Sequence, residues 1–226
     1  MIIGGFQKFS LLDYPDKIAA IVFTHGCNFR CPYCHNPELI HGSSTQVPPD
    51  FIIDFLKTRT GKLDGVVITG GEPTIHKDLP EFIDQIKALG FLIKLDTNGT
   101  NPGMVEKLVQ NKRLDYIAMD IKAPLEKYEE ITNTNANTED IKKSIALIKH
   151  SGIDHEFRTT IVKDQLVLSD FEQIGKLIGN SRYYLQKFSP SKHLDPTYLE
   201  KCSYEDDELL RFKVILENYT DKCFLR

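Results

Sequence analysis

The chain has 226 residues, 41% hydrophobic and 27% charged, with a net charge of −4. That is enough chain to bury a core without disulfide staples, and its acidic balance offers no basic field for nucleic acid or an anionic membrane. No apolar run reaches the roughly 18–20 residues that span a bilayer, and "MIIGGFQKFSLLDYPDK" at the start has no basic region leading into a long apolar one, so no signal peptide is expected and the expected address is the cytoplasm.

Taken in order, the chain alternates between two periodicities. Residues 1–17 read as a short strand or ribbon. "IAAIVFT" (Ile18–Thr24) is β-branched and reads as a buried strand. "PPDFIIDFLKTR" (Pro48–Arg59) reads as a helix with proline at its start. "DGVVITG" (Asp64–Gly70) is a strand, and "LPEFIDQIKALG" (Leu79–Gly90) a helix closed by glycine. "FLIKLDT" (Phe91–Thr97) is a strand, Pro102–Asn111 a helix, and "DYIAMDIK" (Asp115–Lys122) a strand. The polar stretch Ala123–Thr138 reads as a surface loop with room for one helical turn. Glu139–His150 is a helix and "HEFRTTIV" (His155–Val162) a strand. Leu168–Gly179 is a helix, with Ser169 and Glu172 spaced as a capping box. "RYYLQKF" (Arg182–Phe188) is a strand, and Tyr204–Tyr219 the last helix, within a C-terminal helix and tail over 189–226. Six strand–helix units with no convincing boundary predict a single α/β domain around a parallel sheet. The sheet could be open or curved into part of a barrel, and it falls short of the eight units of a closed one.

In parallel α/β folds the active site lies at the C-terminal ends of the strands. Those ends are polar here. The first strand runs into "THGCNFRCPYCHNP", which carries three of the five cysteines: Cys27, Cys31 and Cys34. The second runs into "GGEPT" (Gly70, Gly71, Glu72), the third ends in "DTNG" from Asp96, and the fourth in "MDIK" with Asp120 and Lys122. The fifth carries Arg158 in an otherwise apolar strand, and the sixth Gln186 and Lys187. One polar strand end is ordinary, since a glycine pair is usually a turn and an aspartate often a helix cap; six in register predict one composite site.

C-x3-C-x2-C brings three thiolates within reach of one metal centre. Two centres fit. One is an iron–sulfur cluster with three protein ligands and an open position. The other is a structural zinc completed by the adjacent His35. Cys202 and Cys223 are remote and read as free or lightly buried thiols. The carboxylates at Glu72, Asp96 and Asp120, with the cations Lys122 and Arg158, suit a ligand bearing amino, carboxylate and sugar groups.

These residues together resemble the radical S-adenosylmethionine superfamily. The resemblance rests on Cys27-x3-Cys31-x2-Cys34, with aromatic Tyr33 before the last cysteine, and on Gly70-Gly71-Glu72-Pro73. With "LDYP" upstream and "DTNG", "MDIK" and "QKF" downstream, the chain is most similar to activating enzymes of glycyl-radical enzymes, above all the anaerobic ribonucleoside-triphosphate reductase activating proteins. The resemblance implies a partial (β/α)6 barrel. It implies a [4Fe–4S] cluster on Cys27, Cys31 and Cys34 with S-adenosylmethionine chelating the fourth iron, reductive cleavage to a 5′-deoxyadenosyl radical, and a glycyl radical made on a partner enzyme. It implies cofactor contacts from Tyr33, Cys34 and His35 in the cysteine loop, from Gly70, Gly71 and Glu72, from Asp96 and Asp120, and from Lys122 and Arg158. The ribose contact is left open between Ser189 and the region of His193. An electron donor such as flavodoxin or ferredoxin is implied, with neither nucleic acid nor membrane as partner. Two other readings compete: the same radical chemistry on a small molecule or peptide, and a zinc-stabilised binding module.

Overall fold

The structure, a computed structural model, describes residues 1–42 and 45–226. Its centre is an eight-stranded sheet in which strand order follows chain order. The strands are β1 (Ile3–Ser10), β2 (Ala19–Thr24), β3 (Gly65–Gly70), β4 (Leu92–Thr97), β5 (Tyr116–Asp120), β6 (Asp154–Ile161), β7 (Arg182–Lys187) and β8 (Lys222–Leu225). β1 runs antiparallel to β2, and every other pairing is parallel. Right-handed crossovers in sequential order put the connecting helices on one face, and the sheet forms the partial barrel expected.

The helices are α1 (Pro37–His41), α2 (Pro49–Lys57), α3 (Leu79–Lys87), α4 (Pro102–Gln110), α5 (Tyr128–Thr132), α6 (Thr138–His150), α7 (Leu168–Ile178) and α8 (Asp206–Leu216). None is long and apolar enough to cross a membrane.

Side chains alternate across a strand, and here the alternation sorts chemistry. Ala20, Val22, Val66, Ile68, Ile93, Leu95, Ile117, Met119, Phe157 and Ile161 point outward and join the helices' Ile52, Leu56, Ile83, Ile86, Leu108, Ile145 and Ile174 in one continuous core. The other face, inside the curl, is layered. Near the strand starts it is apolar, with Ile21, Val67, Tyr14 and Tyr116 packed together. Further along it turns polar: Lys94, level with Val67 and Tyr116, comes first, then Glu156 and Asp96, then Asp120 and Arg158, all of the same alternating set. Such strands read as uniformly buried, although only one face of them is oily.

Four details depart from the sequence reading. The tail contributes a seventh parallel strand, β8, whose register pairs Tyr183 with Cys223. Cys223 is therefore core, not lightly buried, whereas Cys202 is exposed. The segment Ala123–Thr138 holds the one helical turn expected, α5, entered by a 3-10 turn (Leu125–Lys127), but it is not a surface loop, because Ala123, Tyr128, Ile131 and Thr132 are buried. At α7 the cap is not Ser169 with Glu172. The helix begins at Leu168, and the Asp170 carboxylate accepts the Val167 N–H at 2.9 Å. Finally, a short helix, α1, follows the last cysteine of the loop, begun by Pro37 where its missing N–H costs no hydrogen bond.

Candidate active site

The cysteine loop leaves β2 at Thr24 and is pinned from three sides by backbone hydrogen bonds. The Glu72 N–H donates to the Gly26 carbonyl (2.8 Å) and the Gly71 N–H to that of Thr24 (2.9 Å), which docks the loop after β3 against it. The Arg30 N–H donates to the Thr132 carbonyl at the end of α5 (2.9 Å). From the tail, the Leu194 and Asp195 N–H groups donate to the carbonyls of Cys34 (3.1 Å) and Pro32 (2.9 Å). The glycines of the second motif have a geometric reason. Gly70 has φ of 112°, in the region that favours glycine, and a Cβ on Gly71 would collide with the Gly26 carbonyl.

A cavity of about 230 Å³ opens between these loops. Of the residues that the sequence nominated, Cys27, Cys31, Cys34, Tyr33, His35, Gly70, Gly71, Glu72, Asp96, Asp120, Lys122, Arg158 and Gln186 line it, and Lys187 does not. Phe29, Asn36, Ile40, Thr69, Thr97, Asn98 and Thr160 complete the wall. Ser189 is exposed. His193 is buried, its ring 4.8 Å from those of Phe188 and His35, with Nε2 accepting the Ser191 N–H (3.0 Å). Neither lines the cavity.

Burial pushes the Cys27 thiol up to about 12 and raises those of Cys31 and Cys34, while Lys122 pulls all three back. A metal centre here must displace protons, so loading tightens as pH rises. Among the described residues, no three His, Cys, Asp or Glu side chains close on a point as a single metal ion requires. The three cysteines instead face a shared volume. His35, the proposed fourth zinc ligand, has Nδ1 3.0 Å from the Ser191 hydroxyl. The donor set fits a cluster better than a lone zinc ion.

Two carboxylate systems flank the cysteines, one buried and one partly buried. Glu72, 1% exposed, accepts from the Thr74 N–H (3.0 Å) and hydroxyl (2.5 Å), the Thr97 hydroxyl (2.7 Å) and the Asn98 N–H (2.6 Å). Burial raises its pKa, and these donors counter the rise. Asp120 instead meets cations: Arg158 Nε at 2.8 Å and Lys122 Nζ at 3.0 Å. Arg158 also reaches Asp96 (3.1 Å), which holds Lys94 Nζ at 2.5 Å. Although burial opposes it, Arg158 with its lysine partners keeps Asp96 and Asp120 below the usual carboxylate range. The sequence showed Asp96, Asp120, Lys122 and Arg158 as separate groups for a ligand; the fold pairs them with one another. Lys94 and Asn98 went unremarked. A lysine amid β4 apolars and an asparagine in a turn have ordinary explanations, and only the alternation of faces marks Lys94.

Known proteins share the sequence pattern and the fold of this chain. The Radical SAM superfamily pattern matches residues 21–178. A protein of Methanocaldococcus jannaschii, named as a candidate glycyl-radical enzyme activating enzyme, is 36% identical over all of this chain and 95% of its own. In fold, SuiB of Streptococcus suis bound to S-adenosylmethionine superposes with a TM-score of 0.71 at 14% identity, over 91% of this chain and 49% of that one. A domain of a pyruvate-formate lyase-activating enzyme from Bacteroides vulgatus gives 0.57 at 15% identity, over 72% of this chain and 98% of that one.

Proposed function

The chain belongs to the radical SAM superfamily, and from that premise we propose that it generates a glycyl radical on a partner enzyme, with anaerobic ribonucleoside-triphosphate reductase the expected partner and flavodoxin or ferredoxin the expected reductant. The observation that carries this reading is the gathering of three cysteines, the double-glycine loop and the paired charges of β4 to β6 on one cavity wall.

Cys27, Cys31 and Cys34 would hold three irons of a [4Fe–4S] cluster. When bound, the cluster supplies one electron to the sulfonium of S-adenosylmethionine, releasing methionine and a 5′-deoxyadenosyl radical that takes a hydrogen atom from a glycine. The chain's own task is orientation and shelter. Gly70 and Gly71 let the backbone approach a ligand closely, without side chains in the way. Glu72 locks the loops after β3 and β4 to each other, so their exposed groups keep a fixed spacing. Lys122 and Arg158 present positive charge to a ligand carboxylate or ribose while Asp120 holds both in place. Tyr33, Cys34 and His35 form the wall where a nucleotide would lie.

The test is anaerobic reconstitution with iron and sulfide, reduction with dithionite, and addition of S-adenosylmethionine with a candidate anaerobic ribonucleotide reductase. A glycyl-radical doublet on the reductase in electron paramagnetic resonance is the expected result. Cofactor cleavage with no doublet would move the radical's destination to a small molecule or another peptide.

A further inference from the structure

The sulfurs of the cysteine loop have hydrogen-bond donors that the proposed ligand set does not explain. Cys27 Sγ accepts the Phe29 N–H at 3.4 Å and lies 3.9 Å from Asn98 Nδ2. Asn98 is buried, lines the cavity and sits just past the end of β4. Which end of its carboxamide faces the sulfur is fixed by the bonding around it. The Thr100 backbone N–H can only donate, and it reaches Asn98 Oδ1 at 3.0 Å. The Thr100 hydroxyl donates to the same oxygen (2.7 Å) and accepts from Asn28 Nδ2 (2.8 Å). That leaves Asn28 Oδ1 to accept from Asn98 Nδ2 (2.9 Å). The ring closes with one arrangement only, and in it the second Nδ2–H of Asn98 is free for Cys27. The Asn98 backbone is held in turn by Glu72.

We propose that Asn98 is a positioning residue that donates its carboxamide N–H to the Cys27 thiolate and thereby raises the reduction potential of the cluster held there. This deepens the functional reading above and rests on it. Reduction by one electron from an external low-potential donor adds negative charge to the cluster and its sulfurs, with no bond made or broken. A donor aimed at sulfur gains strength as that charge grows, so it favours the reduced state. Local hydrogen bonds of this kind commonly orient and tune metal-bound groups.

The experiment is a potentiometric titration of the reconstituted protein, followed by electron paramagnetic resonance of the reduced cluster. Asn98→Ala should shift the one-electron equilibrium about tenfold toward the oxidised form, about 59 mV at one electron. Asn98→Asp, which keeps the acceptor and adds charge, should shift it further the same way. Thr100→Val keeps the backbone donor and the carboxamide; it should leave the potential unchanged. An Asn98→Ala protein with full iron content and the wild-type potential would overturn the proposal, as would a shift confined to Asn98→Asp, which would be charge alone. Pulsed resonance on wild-type protein labelled with 15N in the asparagine side chains guards against variants that lose iron. A 15N coupling to the reduced cluster is expected, and its absence would overturn the proposal. Failure of wild-type protein to assemble any cluster would defeat the functional reading itself and is read from iron, sulfide and visible absorption before any titration.

Discussion

Two carboxylates on the same rim, Glu72 buried and Asp120 partly buried, are satisfied in opposite ways. Around Glu72 every donor is neutral: two threonine hydroxyls and two backbone N–H groups. Around Asp120 the donors are charged, and the system extends through Arg158 to Asp96, Lys94 and, at 4.0 Å, the fully buried Glu156. Glu156 is anchored further by the Tyr116 hydroxyl (2.9 Å) and Arg226 (3.2 Å). The first region fixes backbone, because its donors belong to the loops that carry the double glycine and Asn98. The second region fixes charge. Three carboxylates (Asp96, Asp120, Glu156) face four cations (Lys94, Lys122, Arg158, Arg226), and those that line the cavity, Asp96, Asp120, Lys122 and Arg158, offer both signs to a ligand.

If the two regions are built differently, they should break differently. The largest effect is expected from Arg158→Met. It removes the partner that Asp96 and Asp120 share, leaving each with one lysine (Lys94 and Lys122), and should cost about 3 kcal/mol in urea unfolding. The same variant should change the acid limb. Asp96 and Asp120 have folded pKa values below the ordinary value, so the stability they confer is complete above about pH 4 and is lost as pH falls through their folded values. That slope should flatten in Arg158→Met. Glu72→Gln comes next: the side-chain amide turns an N–H toward a donor, and the expected cost is about 1–3 kcal/mol. A cost equal to that of Arg158→Met would erase the distinction between the regions. Thr97→Val removes one of four donors to Glu72 and should cost about 1 kcal/mol, with the acid limb unchanged.

The same contrast explains what was legible in the sequence. A β-branched run such as "AIVF" or "GVVIT" announces a buried strand, and a strand's end announces a rim, so Cys27, Gly70, Asp96, Asp120 and Arg158 could be named before their neighbours were known. Their partners could not. That Arg158 answers both Asp96 and Asp120 depends on the register of β4, β5 and β6, which no local pattern encodes. The segment 123–138 was misread because its surface is polar and only Tyr128, Ile131 and Thr132, three and four residues apart, carry the helical signal. β8 is four residues long, too short for alternation to register. Asn98 stood in plain view within "DTNG", but its significance lies in the direction of one N–H, fixed by Thr100 and Asn28.

The most direct measurement is release of 5′-deoxyadenosine from S-adenosylmethionine by the reduced, reconstituted protein alone, with Cys34→Ala as the blank. The account predicts nucleoside from the wild type and none above background from the variant. An intact, reducible cluster that releases none, or a Cys34→Ala protein that matches the wild type, would contradict it.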